Sequence, residues 1–417
     1  MTTDPELSRS LGLSDAVLIG LGSMIGAGIF AAFAPAAAAA GAGLIFGLVI
    51  AGVVAYCNAT SSAQLAAQYP TSGGAYIYGR ERLGAWPGFA AGWCFLIGKT
   101  ASCAAMAMTF AAYAVPGPWQ KPVAVAAVVA LTGINYFGIT RTATATRVIV
   151  SVVLAVLAVI AIAGLTSSGP ITAAATPLVV TGGWYGVLQS AGLLFFAFAG
   201  YARIATLGEE VEDPARVIPK AILTALVLAL AVYVVIAVSA LRAVGPEQLA
   251  ASSAPLVDVV TGRGWAWAEP IVRIGAAAAA LGALLALIAG VGRTALAMAR
   301  NRDLPRWLAA VHPRHQVPHH AELTLAAVVC AVVVFTDLRG AIGFSSFGVL
   351  LYYFIANVAA FTQGRAERRL SKAWQVLGAT GCLLLVVTLP PKAIMAGLSV
   401  LLVGALYRMM RLQLQRA

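Results

Sequence analysis

The sequence predicts an all-α polytopic membrane protein, and three observations predict it. Twelve apolar runs recur along the 417 residues, each near the ~20 residues that a helix needs to cross the hydrocarbon core of a bilayer. Only 10% of the residues are charged and 61% are hydrophobic. A soluble chain averages about 25% charged, so this one cannot cover itself with a water-facing surface. Glycines interrupt the first and the sixth runs. A spanning helix gains nothing from them there unless it opens or is closely approached.

The runs fall at about 13–39, 43–68, 84–114, 121–138, 147–166, 184–208, 217–242, 269–299, 321–337, 341–364, 374–389 and 391–409, the last two parted only by Pro390-Pro391-Lys392. Twelve crossings put both termini on one side. With the N-terminus inside, 19 of the 27 basic residues fall in cytoplasmic segments, and the outer loops keep six: Lys121, Arg242, Arg263, Arg273, Arg339 and Lys392. The positive-inside rule therefore predicts cytoplasmic termini in the cell membrane. The net charge of +12 follows from that topology and from anionic lipid headgroups, and no nucleic-acid partner is expected. Residues 1–12 are mixed in charge and the first run is too long for a leader's apolar region, so no cleaved signal is expected. The cysteines Cys57, Cys94, Cys103, Cys330 and Cys382 all fall within runs and read as small packing residues.

The first interruption lies in Gly22-Ser-Met-Ile-Gly26-Ala-Gly28-Ile-Phe30, and the second where Phe195-Phe-Ala-Phe-Ala-Gly200-Tyr201 leads into Arg203. Helix packing accounts for the glycines taken alone, since Gly22 and Gly26 form a small-xxx-small pair. Two interruptions five runs apart favour an inverted repeat with a binding site at the membrane midplane. On that reading one transmembrane domain, 1–417, holds a first repeat over 13–166 (spans 1–5) and an inverted second repeat over 184–364 (spans 6–10). Two peripheral helices over 374–409 complete it. An opened helix leaves N–H groups and carbonyls at mid-depth, where they can hold the charged ends of a small solute.

At these residues the chain resembles the amino acid–polyamine–organocation superfamily of permeases, which share the LeuT-type fold. The first interruption resembles that superfamily's span-1 motif, and Tyr69-Pro-Thr-Ser-Gly-Gly-Ala-Tyr76 the segment after span 2. Phe196-Ala-Phe-Ala-Gly200 with Glu209-Glu210-Val-Glu-Asp-Pro214 resembles span 6 and its loop, and Gly292-Arg293-Thr294 the end of span 8. The resemblance implies that the backbone amides of Ala27 and Gly28, beside Gly26, receive a substrate carboxylate, with the dipole of a half-helix N-terminus in support. The substrate ammonium then meets carbonyls of Ile25, Phe196, Ala197 and Ala199. Phe196 and Phe198, beside Gly200, pack on the substrate or gate its exit, unless they serve as ordinary apolar packing.

Two basic residues remain inside spans, Lys99 and Arg203, and no acidic residue is equally deep. A buried base without a partner costs several kcal/mol, so such residues line cavities. Relatives that couple to protons through a lysine carry it in span 5, which here, over 147–165, has none. A proton-coupling or substrate-sensing role is therefore expected of Lys99, the alternative being a structural bond to carbonyls. Arg203 opposes the helix dipole and is expected to bond freed carbonyls or an acidic gate partner such as Asp15. Glu209 and Glu210 read as a solvated turn or as an inner gate. Two cations and no deep carboxylate favour neutral over cationic substrates. Sodium coupling is disfavoured because 276–293 offers no hydroxyl oxygen. His312, His315, His319 and His320 crowd one loop without a cysteine or well-placed carboxylate, so no metal is expected, and no cofactor or catalytic constellation is evident. The expected function is secondary active transport of amino acids by alternating access, proton-coupled or by exchange. The alternatives are an exchanger or exporter of amines or cationic amino acids, and an amino-acid sensor that does not transport.

Overall fold

The first apolar run does not fold as one helix. In the computed structural model α1 (Leu13–Ile25) stops at Gly26, whose φ of −38° and ψ of −113° lie outside the helical region. α2 (Gly28–Ala31) and α3 (Phe33–Ala40) carry the run onward. The structure describes residues 11–26, 28–69, 73–138, 143–166, 180–205, 207, 211–365, 367–368 and 370–414. α4 (Leu44–Gln68), α5 (Ala75–Leu83), α6 (Ala85–Ala114), α7 (Gln120–Tyr136) and α8 (Ala143–Thr166) follow.

The sixth run is also discontinuous, though more gently. α9 (Gly183–Phe198) tightens into a 3-10 turn over Ala199–Tyr201 before α10 (Ala202–Ala205). Next come α11 (Pro214–Val244), α12 (Pro246–Ala251) and α13 (Pro255–Thr261), each opening on a proline. Proline suits a first helical position because the N–H it lacks would be unpaired there. α14 (Glu269–Arg300), α15 (His319–Phe335), α16 (Leu338–Phe361), α17 (Lys372–Thr388) and α18 (Pro391–Leu414) complete the chain.

No strand occurs among the described residues, and nine helical stretches there are long and apolar enough to cross a bilayer. The chain is accordingly a polytopic helical membrane protein. α7, α15 and α17, on the predicted runs 121–138, 321–337 and 374–389, have 17 residues each and are shorter than those nine.

In lipid there is no hydrophobic force to drive helices together, so close backbone approach and interhelical hydrogen bonds must hold them. The crossing of α6 with α16 shows both. A Cβ added at Gly98 would lie 3.0 Å from Val349 N, and one at Gly348 2.7 Å from Cys94 O. Beside it Ser102 Oγ meets Ser345 Oγ at 2.7 Å. This contact fixes the rotation of α6 at the position next to Lys99.

Candidate transport site between two helix interruptions

The two interruptions meet. A Cβ on Gly28 would lie 2.7 Å from Ala197 Cα, and one on Gly200 would run into the Ser23 carbonyl. Only glycine lets these backbones touch. Tyr233 of α11 joins them further, its hydroxyl 2.7 Å from Met24 O and 2.8 Å from Ala197 O. A phenol has one proton, so the two carbonyls share it. The Ala199 carbonyl, in the 3-10 turn, accepts from Lys99 Nζ at 3.0 Å, and Lys99 is only 5% exposed. The buried carbonyl thus finds its partner in the Lys99 amine.

Beside this junction lies a cavity of about 470 Å³. Ser23, Lys99, Phe196 and Gly200 line it at the junction, with Phe95 and Met106 adding apolar wall. Arg293, Thr294, Arg300 and Asn301 line its far end, where Arg300 and Asn301 are exposed and the cavity reaches the surface. On the other side of the junction the space is filled. Ile29, Phe30 and Phe33 are fully buried, Phe30 packs edge-on to Tyr113 at 5.7 Å, and Tyr113 donates to Phe30 O at 3.0 Å. Four cations line the cavity (Lys99, Arg203, Arg293 and Arg300), and among the described residues no carboxylate does.

Of the residues singled out from the sequence, Ile25 closes α1 and is buried, and Gly26 caps that helix with its N–H 3.2 Å from Gly22 O. Ala27, Glu209 and Glu210 lie outside the described residues. Phe196 lines the cavity, whereas Phe198 packs edge-on against Tyr233 at 5.0 Å. Two of the four carbonyls assigned to a substrate ammonium, those of Ala197 and Ala199, are taken by Tyr233 and Lys99. Asp15 accepts from Arg147 Nε of α8 at 2.9 Å, a partner the sequence had not suggested.

The structure also buries two carboxylates about as fully as Lys99, one in a loop and one at a helix start. Glu322, in the first turn of α15, is 2% exposed beside Gly292, and Asp303 is 5% exposed. Glu322 falls inside an apolar run and Asp303 inside a basic loop, so neither announces its burial. Tyr233 was missed for a similar reason, as one aromatic in a long apolar run. The four histidines do cluster, with neighbouring rings 4.2–5.3 Å apart between centroids. Among the described residues no three His, Cys, Asp or Glu side chains are arranged to hold a metal.

Fold and site together define a polytopic helical membrane protein in which two interrupted helices meet beside a surface-reaching cavity. The chain belongs to the amino acid permease family, whose profile matches residues 11–410. It is similar to an uncharacterized transporter of Mycobacterium tuberculosis, at 58% identity over 99% of this chain and 93% of that protein. It is similar to the branched-chain amino acid permease of Bacillus subtilis, at 27% identity over 90% of this chain and 85% of that one. A chloroplastic cationic amino acid transporter of Arabidopsis thaliana is also 27% identical, over 85% of this chain and 66% of its own length.

Proposed function

We propose that the protein is a secondary active transporter that carries neutral amino acids across the cytoplasmic membrane by alternating access. The observation that carries this is the cavity itself, which starts at the joined interruptions and reaches the surface at Arg300 and Asn301. On this reading the three 17-residue helices also cross the membrane. That gives twelve spans, built as two inverted repeats of five plus α17 and α18, with both termini in the cytoplasm. The open end bears Arg293 and Arg300 and so faces the cytoplasm, and the form described is inward-facing. Membership of the amino acid permease family supports an amino-acid substrate, and the relatives include one named for branched-chain and one for cationic amino acids. Charge supports a neutral substrate: four cations and, among the described residues, no carboxylate line the path, which disfavours a substrate of net positive charge where the dielectric is low. Phe95, Phe196, Met106 and Leu287 suit an apolar side chain.

Ligand contact is divided between the interruptions. The carboxylate meets amides at the Gly26–Gly28 break, and the ammonium meets Ile25, Phe196 or Ala199 carbonyls once Lys99 has swung off Ala199. Lys99 is then the proton-coupling or substrate-sensing group, and Arg203, Asp15, Glu209 and Glu210 serve the gate. Counterflow in proteoliposomes, loaded in turn with each of the twenty amino acids, tests the reading. Accumulation of labelled neutral, apolar amino acids is expected. Accumulation of only arginine or lysine would overturn the charge argument, and a blank with folded protein would overturn transport of amino acids.

A further inference from the structure

A second, larger cavity of about 940 Å³ lies on the far side of Val291, which lines both. It is a groove between α15 and α18, floored by α6, α14 and α16. Its lining is almost wholly apolar along its length, from Leu304 and Leu308 at one end through Leu96 and Val332 to Phe344. The exception is its other mouth, where Lys121 and Lys392 line it together with Asp337. The Asp337 carboxylate accepts from Gly340 N at 2.6 Å, and the two lysines leave that mouth with an excess of one positive charge. Lys121 Nζ rests 2.6 Å from Val334 O, and both lysines are exposed. Arg339, also exposed, sits two residues from Asp337 in the first turn of α16.

These three cations are half of the six that the charge distribution leaves on the side away from Arg300. Charge is scarce on that side, and two of the other three arginines have partners elsewhere. Arg273 pairs with Glu269 at 2.8 Å, and Arg263 donates to the carbonyl of Arg242. A long apolar groove capped by ammonium groups complements a molecule with hydrocarbon chains and an anionic head. Two-fold docking of a second copy would instead bring like charges together around the groove.

We propose that this groove holds one anionic glycerophospholipid, with its chains along α6 and its phosphodiester on Lys121 and Lys392. Trp93 lines the floor of the groove and provides the probe, its Nε1 donating to Val400 O at 3.0 Å. The protein is placed in phosphatidylcholine bilayers with increasing phosphatidylglycerol brominated on its chains. Quenching lost in Trp93→Phe is assigned to the groove. Half-quenching is expected at a mole fraction at least tenfold lower than with brominated phosphatidylcholine. Lys121→Gln and Lys392→Gln should each raise that fraction about 5-fold, as one charge near a lipid surface contributes about that factor. If Trp93→Phe does not fold, native mass spectrometry of the wild type against the double lysine variant replaces it. One retained phosphatidylglycerol is then expected in the wild type alone. Equal quenching by both lipids, equal retention in both proteins, or a dimer whose crosslinks through Phe335 shield Trp93 would each overturn the proposal.

Discussion

Replacing Asp303 with asparagine should cost several kcal/mol, because three side chains from two helices converge on that one carboxylate. Tyr76 and Arg80 of α5 each donate to it at 2.8 Å, and Arg408 of α18 pairs with its other oxygen. Burial and the Asp303 carboxylate hold the Tyr76 phenol above its ordinary pKa, so it remains a donor. Arg408 is 6% exposed, its Cζ lies 4.7 Å over Phe89 and 5.0 Å over Trp86, and Nη2 donates to Ala85 O at 3.0 Å. Asparagine keeps the shape and the Tyr76 contact but strands a buried guanidinium, which costs about 3–5 kcal/mol. Arg80, 28% exposed, can turn to water and adds at most about 1 kcal/mol. The folding equilibrium should therefore shift roughly 150- to 5,000-fold. Reversible unfolding in mixed micelles, followed by tryptophan fluorescence, measures it. Combined with Arg408→Met, the loss should fall short of the sum of the two by about 0.5–3 kcal/mol, since one pair is broken twice. A loss below about 1 kcal/mol, or strict additivity, would refute a buried clamp between α5 and α18.

Three further outcomes follow from the same contacts. Lys99→Gln keeps a donor for Ala199 O but no titratable group, so transport should persist while its pH dependence flattens. An unchanged pH profile would remove Lys99 from coupling. Gly28→Val places side-chain atoms where Ala197 already sits, with even a Cβ only 2.7 Å from Ala197 Cα. It should cost about 1–3 kcal/mol in an unfolding titration and abolish transport by forcing the two interruptions apart. At the start of α15, burial, His320 and His312 hold His319 below its ordinary 6.5. As pH falls through about 6.5 the unfolded chain takes up the proton first, so stability is full above that pH and declines below it. His319→Gln should reduce this slope in an unfolding titration from pH 7.5 to 5, and an unaltered slope would refute the assignment.

What could be read from the sequence was whatever is local along the chain. The glycines at 26 and 28 mark the first interruption because a second one recurs five runs later, which packing of a single helix does not call for. Lys99 could be read as a buried base because nothing of opposite sign lies within its own run. Its partner could not, since Ala199 is 100 residues away and the bond depends on how Gly98 seats α6 against α16. The second interruption was placed correctly near Gly200 but is a tightened turn, which composition does not distinguish from an open break. The Asp303–Arg408 pair joins positions 105 residues apart through two segments that read as ordinary basic loop and peripheral helix. Phe198 was paired with Phe196 by adjacency. Two residues apart on a helix they point differently, and only Phe196 lines the cavity.

The most direct test of amino-acid passage through the junction uses Ser23→Cys in a background without the five native cysteines. Ser23 lines the cavity where the two interruptions meet, and Thr100 lines only the second groove. The amino acid that drives counterflow, at ten times its half-saturating concentration, should slow alkylation of the Ser23→Cys variant about 11-fold by simple competition. Complete alkylation should stop counterflow in that variant and leave Thr100→Cys unaffected. Counterflow that survives full modification of Ser23→Cys would place the path elsewhere.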